Sequence, residues 1–381
     1  MNIPKQATVK EIAKLAGVSA GTVDRVIHNR GSVSERSKEK VLGVLKKIGY
    51  EPNLQVSSIG TKKKFSITAI LPTATGGYWY QLKSGIKKAA CELSHIDLKI
   101  KVLHYDQFDL FSCREVYARA LETKCDAMII GPTFTDETLQ LTYALEAKGI
   151  PYIFVDEMVP GASPLAFFGP DSLRMGYMQA RLLLSGMKSR QDILLIRSKR
   201  IGDGTSHNSM MRRNGFRSYI KEKGLEVNLV DCVCDIGDKA SCFRSLDEAF
   251  SRSKDIGGIV VFNSRAYMVA EYLKHKKLSG VRLVGYGLIE KNIAYLKEEY
   301  ITYLLSEHPD IQGYSAVKAA LEYLIYGKQG RVLNHTPVDI LIKENVDYVW
   351  NSEQNVAFIC NPLGSVRRRD GHIGQDRHRR G

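Results

Sequence analysis

The chain lacks any apolar run near the roughly 18 residues of a membrane-crossing helix, so no span is expected. Its N-terminus has no apolar signal region and enters an organised segment by Thr8, so a cytoplasmic rather than exported protein is expected. Cysteine is sparse and scattered: Cys91, Cys113, Cys125, Cys232, Cys234, Cys242 and Cys360 make an odd count of 7. No pair has zinc-finger spacing, and all are read as reduced thiols, with Cys232 and Cys234 expected on opposite faces of a strand. There is no phosphate-cradling glycine loop, no nucleophile elbow and no metal-ligand cluster. No catalytic residue, cofactor or metal is therefore expected. His207 and Asp203, in the glycine-rich IGDGTSHNS, have no partner at nucleophile–base spacing.

What is present begins at Thr8. Residues 8–50 read TVKEIAKLAGVSAGTVDRVIHNRGSVSERSKEKVLGVLKKIGY. Thr8 and Glu11 have capping-box spacing. Val9, Ile12, Ala13 and Ala16 form one helical face, which Gly17 ends at low conformational cost. Ser19 caps a second helix with Val23, Val26 and Ile27 inward. A third helix over 34–48 would bury Val41, Leu42, Leu45 and Ile48. Helix, glycine turn, helix is the helix-turn-helix arrangement. Ala20, Gly21, Asp24 and Arg25 then face outward, and the first turn of such a helix enters the major groove. Arg25 can fork onto guanine, whereas Asp24 is repelled by phosphates unless it pairs. Residues 1–64 hold 13 Lys and Arg against 5 Asp and Glu, a net +8 of the whole chain's +14. Positive charge is thus concentrated where phosphates would be met.

The AGVS turn, TV-x-RV (Thr22 to Val26), VS at the third-helix cap and GYEPN closing the segment carry a resemblance to the lac repressor family of bacterial transcription regulators. The resemblance implies phosphate contacts from Thr8, Ser19, Thr22, Ser34 and Asn53, and base contacts from Ala20, Gly21 and Arg25. His28, also in the reading set, and Asp24 stand where the family often has Asn and Ser, which alters the operator rather than the binding mode. Residues 53–64 imply a hinge that folds on DNA and pushes Ile59 into the minor groove. An ordinary linker ending in three lysines is the alternative for that stretch.

From residue 65, strand-like and helical patterns alternate, the signature of a parallel sheet covered by helices. Strands are expected at 65–71, 98–104, 127–131 and 152–156, then at 192–197, 226–234, 258–262, 282–286 and 338–342. The fold class is an all-α helix-turn-helix headpiece plus an α/β two-lobed, periplasmic-binding-protein-like core with two doubly wound parallel sheets. The expected division is a headpiece over 1–52, the hinge over 53–64, and the core over 65–364. Lobe one takes 65–165 and 306–328, lobe two takes 166–305 and 329–364, and a disordered basic tail takes 365–381. Crossings between lobes are placed near 162–169, 305–308 and 327–333.

The resemblance places an effector between the lobes, on Tyr78, Trp79, Asp156, Arg212, Asn263 and Glu307. Aromatic rings stack on sugar C–H faces, and a carboxylate accepts hydroxyls. Each has a plainer use: core aromatics for Tyr78 and Trp79, a backbone cap for Asp156, surface charge for Arg212, a turn for Asn263. Glu307 stands where relatives often have Gln. Gly287 replaces an aspartate of the family, which is read as a lost acceptor and added room; Gly76 likewise replaces a polar residue. The expected partners are a double-stranded DNA operator, a carbohydrate-like effector and a second copy in a homodimer. A solute-binding protein or an enzyme on the same α/β fold is the alternative.

Overall fold

The structure is a computed structural model, and it describes residues 8–27, 33–47, 64–73, 77–187, 191–198, 206–235, 238–253 and 255–350. The sequence expectations for His28, Asn53, Ile59, the hinge, Gly76, Asp203, Cys360 and the basic tail lie outside these residues.

Three helices lead: α1 (Val9–Ala16), α2 (Ala20–Ile27) and α3 (Glu35–Lys47). The capping box forms, with the Thr8 backbone N–H donating to Glu11 Oε2 at 2.7 Å and the Glu11 N–H to Thr8 Oγ1 at 3.4 Å. Gly17 ends α1 at φ 64°, in the left-handed region that glycine enters without a side-chain clash. Ile12, Ala13, Ala16, Val23, Ile27 and Val41 meet in a small shared core. Leu42 departs from the expected stripe: it is exposed, and Val44 packs against the core instead. The reason is angular: Val41, Val44 and Leu45 share the face of α3 turned to α1 and α2, and Leu42, next to Val41, turns about 100° away.

The first sheet is built on β1 (Phe65–Pro72), followed by α4 (Tyr78–Glu92), β2 (Leu98–Tyr105), α5 (Leu110–Glu122), β3 (Ala127–Ile130), α6 (Thr135–Ala147) and β4 (Tyr152–Val155). β3 and β4 are buried at every position, as expected of parallel strands covered on both faces. Two further strands join this sheet: β5 (Ala166–Gly169) and, much later, β11 (Leu333–His335). The order is β11-β5-β4-β3-β1-β2, all pairs parallel.

The second lobe runs α7 (Ser172–Leu184), β6 (Asp192–Ser198), α8 (His207–Glu222), β7 (Leu229–Cys234), α9 (Lys239–Arg252), β8 (Ile256–Val261), α10 (Ala266–His275), β9 (Arg282–Tyr286), α11 (Glu290–Lys297) and β10 (Tyr303–Ser306). α12 (Pro309–Tyr326) returns to pack on the first lobe, and β12 (Asp339–Leu341) pairs with β10. The second sheet is ordered β12-β10-β9-β8-β6-β7.

These pairings shift the expected lobe boundaries. β5 and β11 belong to the first sheet, so lobe one extends past 165 to Gly169 and takes back residues 333–335 from lobe two. Both strands are very short, and their partners are far apart in sequence, so no local pattern marks them. The chain leaves the second sheet after Ser306 and enters α12, which packs on the first lobe, at Pro309. The sheets are also not wholly parallel, because β12 runs antiparallel to β10. Helix α11 was not foreseen, and α8 starts at His207 rather than near Arg213.

Cys232 and Cys234 share one face of β7, contrary to expectation, with their sulfurs 3.7 Å apart. Side chains alternate residue by residue, so positions two apart lie on the same side.

Helices in each lobe touch backbone to backbone at glycines. A Cβ built on Gly85 of α4 would lie 1.9 Å from the Asp310 carbonyl oxygen, and one on Gly313 of α12 would lie 2.2 Å from that of Leu82. In the second lobe, Gly176 of α7 faces the Arg212 carbonyl at 1.7 Å and Gly215 of α8 faces that of Leu173 at 1.8 Å.

Candidate functional site

The carboxyl ends of both sheets face each other, where open α/β sheets place ligands. Across this gap the Asn208 amide donates to the Asp156 carbonyl at 3.0 Å. Glu157 accepts from Ser206 Oγ and from the His207 backbone N–H, each at 3.0 Å. That carboxylate therefore sits on the first turn of α8, where free N–H groups and the helix dipole favour negative charge. On another side, Gln81 Nε2 donates to the Leu288 carbonyl at 3.3 Å, and the Arg265 guanidinium lies 5.3 Å from the Phe108 ring centroid. The lobes are thus closed onto each other.

Arg212 lies in the second turn of α8, buried, and its Nη2 donates to Glu307 Oε1 at 2.8 Å. Its Nη1 donates to the Phe262 carbonyl at 3.3 Å, and its guanidinium lies 4.2 Å from the centroid of the Tyr286 ring. Glu307 directly follows β10, at the second crossing. Its backbone oxygen accepts from Gln312 Nε2 and Thr336 Oγ1, both at 3.0 Å, tying the second crossing to the third. The other end of Gln312 reaches lobe one: its Oε1 accepts from the Tyr78 hydroxyl at 2.8 Å and from the Asp156 backbone N–H at 3.1 Å. Fully buried Gln312 thus connects Tyr78, Asp156 and Glu307.

Asp156 follows β4 with φ 70°, the left-handed region that aspartate tolerates better than most side chains. Burial pushes its carboxyl up to about 7, helped by the negative charges of Glu307 and Glu157 and opposed by Arg212 and the Tyr78 hydroxyl. Burial raises the Tyr78 and Tyr286 hydroxyls too, and raises Glu307 against the pull of Arg212. An Asp that keeps its proton in the folded chain to about 7, but only to about 3.9 unfolded, favours folding at the acid end. Between those values the folded state binds more protons, so stability falls as pH rises. The melting temperature of the core is expected to climb as pH is lowered from 8 toward 6, on the order of one unit either side of 7. Asp156→Asn should flatten that slope, and an unchanged slope would remove Asp156 as its source.

Of the expected effector residues, Tyr78, Asp156, Arg212 and Glu307 therefore come together. Trp79 does not join them: it packs in the first-lobe core, its ring edge 2.6 Å from where a Gly131 Cβ would stand. Helical geometry separates neighbours 78 and 79 by about 100°, so one faces the gap and the other the core. Asn263 sits next to Phe262, and its Oδ1 accepts from the Arg265 N–H at 2.8 Å, the turn-forming use. Gly287 is not the vacancy it suggested. Its φ is 85°, and a Cβ there would lie 2.9 Å from Ser264 Cβ. Asn292 Nδ2 further ties Ser264, Tyr286 and Gly287 by their carbonyls, at 2.9, 2.8 and 3.0 Å. Gln312, Asn208, Glu157 and Tyr286 were missed. The one local signal was Gln312 on the otherwise apolar buried face of α12.

The second candidate surface is on the leading helices. Ala20, Gly21 and Arg25 are exposed on α2, and Thr22 is half-buried. Ser19 Oγ accepts from the Thr22 N–H at 3.1 Å, and Ser34 Oγ from the Ser37 N–H at 3.4 Å. Thr8, Ser19 and Ser34 thus each stand at a helix N-terminus, where hydroxyls and backbone N–H groups can reach phosphates. Among the described residues no cluster of metal-ligating side chains occurs and no helix is long and apolar enough to cross a membrane.

Residues 67–329 match the family described as periplasmic binding protein domain, and residues 8–53 match bacterial regulatory proteins, lacI family. The HTH-type transcriptional regulator DegA of Bacillus subtilis is 26% identical over 58% of this chain and 63% of its own length. RafR of Escherichia coli, also an HTH-type transcriptional regulator, is 28% identical over 59% of this chain and 64% of its length. The chain thus spans a little under two thirds of these relatives. A Bacteroides fragilis crystal structure assigned as a LacI transcriptional regulator superposes with TM-score 0.70 at 32% identity, over 75% of this chain and 99% of that one. A solute-binding protein of Agrobacterium vitis bound to tagatopyranose has TM-score 0.66 at 22% identity, over 74% and 96%, a likeness of fold.

Proposed function

Because the chain belongs to the lacI family of bacterial regulatory proteins, we propose that it is a cytoplasmic transcription regulator, a repressor, that binds a DNA operator as a homodimer. A small molecule, a sugar or sugar derivative held between the two lobes, controls that binding. No catalytic step is assigned to it. The observation that carries the DNA part is the folded three-helix unit with Ala20, Gly21 and Arg25 turned outward and a hydroxyl at each helix start. The effector part is supported by the charged and hydroxyl groups of Tyr78, Asp156, Arg212 and Glu307, gathered where two lobes meet. Two copies would present two such headpieces to a near-palindromic site.

Retarded migration of duplex DNA tests this. Operator affinity should fall steeply with salt, log affinity against log salt having a slope of about −0.9 per neutralised phosphate. Arg25→Ala should lose about 1–3 kcal/mol on the cognate site and little on random duplex. A protein that binds no duplex even at low salt removes the proposal.

A further inference from the structure

We infer that the site between the lobes takes an uncharged or amine-bearing polyhydroxy compound and excludes phosphorylated and carboxylated ones. This rests on the effector-binding reading above and narrows it. The whole chain carries +14, so its general field would draw anions in. The described groups at the site oppose that field. Three acidic side chains, Glu157, Glu307 and an Asp156 that loses its proton only at about 7, act on one another there, and Arg212 is the guanidinium that acts on Asp156 with them.

That guanidinium is already committed. One Nη holds Glu307, the other the Phe262 carbonyl, and its face lies on Tyr286. A phosphate or carboxylate ligand on Arg212 would bring its charge beside the buried Glu307 carboxylate, in surroundings that stabilise charge poorly. A neutral polyol meets no such conflict. Carboxylate oxygens accept from its hydroxyls, and more strongly from an ammonium group. Arg212 Nε and the Tyr286 hydroxyl are buried without a hydrogen-bond partner, and the hydroxyl oxygens of a polyol can supply the acceptors they lack. Glutamate rather than glutamine at 307 is thus the selecting residue: it neutralises the cation that would otherwise attract anions.

The test is isothermal titration of the full chain with aldopentoses and aldohexoses beside their amino, phosphorylated and aldonic-acid forms. For whichever sugar binds, the neutral or amino form should bind at least about tenfold tighter than the phosphorylated or acid form. Glu307→Gln, which releases Arg212, should narrow that gap by about tenfold. Equal or tighter binding of a phosphorylated or acid form by the unaltered chain overturns this inference and leaves effector binding standing. Silence across the whole panel, with operator binding intact, removes the effector reading and this inference with it.

Discussion

Arg212→Ala is expected to lower the stability of the core by about 3–5 kcal/mol and to abolish the response to effector. The side chain is 7% exposed and its partner Glu307 6%, so water cannot take over the carboxylate when the guanidinium is gone. Burial already lifts the Glu307 carboxyl, and Arg212 is what holds it down. The truncated variant should therefore take up a proton at Glu307 and regain stability as pH falls. The contact with the Tyr286 ring and the bond to Phe262 go as well. Arg212→Ala/Glu307→Ala should be more stable than Arg212→Ala alone, because the uncompensated charge has left with its partner. Urea unfolding of the two variants at neutral and acid pH decides it. A double variant no better than the single one would show that packing, not the buried charge, carries the loss. Operator binding below the melting temperature should survive, since the three leading helices have their own core.

Gly176→Ala should be nearly as damaging, costing about 3 kcal/mol, the upper end for overpacking. Its added methyl would stand 1.7 Å from the Arg212 carbonyl oxygen, and α8 backbone, unlike a flexible side chain, cannot turn aside. The helices must separate, and Arg212 moves with α8. Gly43→Ala, on the exposed face of α3 with nothing within 4 Å of the added carbon, is the control and should be neutral or slightly stabilising. Thermal unfolding of the pair measures the contrast; two equal melting temperatures would mean that α7 and α8 do not pack this closely.

The helical headpiece and the β-α alternation were legible because their causes are local. Capping by Thr8, the left-handed turn at Gly17 and the apolar periodicity of α1 involve residues a few positions apart. Strands such as β1, β3 and β8 announce themselves as apolar runs because both faces are covered. β5 and β11 could not be seen: one pairs with the other across more than 160 positions, and neither has length enough for a pattern. Trp79 and Tyr78 show the same limit on a smaller scale, since adjacency in sequence said nothing about which ring faces the gap.

The residues, with the family they resemble, determined the architecture: a basic helix-turn-helix head followed by a doubled α/β core, with Tyr78, Asp156, Arg212 and Glu307 among six residues marked out in advance. Only the folded chain decided how those four are wired. Gln312, 156 positions from Asp156, makes the link between them, and Glu307 closes on Arg212 from 95 positions away. Hydrogen bonds and buried charges act over a few ångströms, and which distant groups come that close is set by how helices and sheets pack, not by any neighbour in sequence.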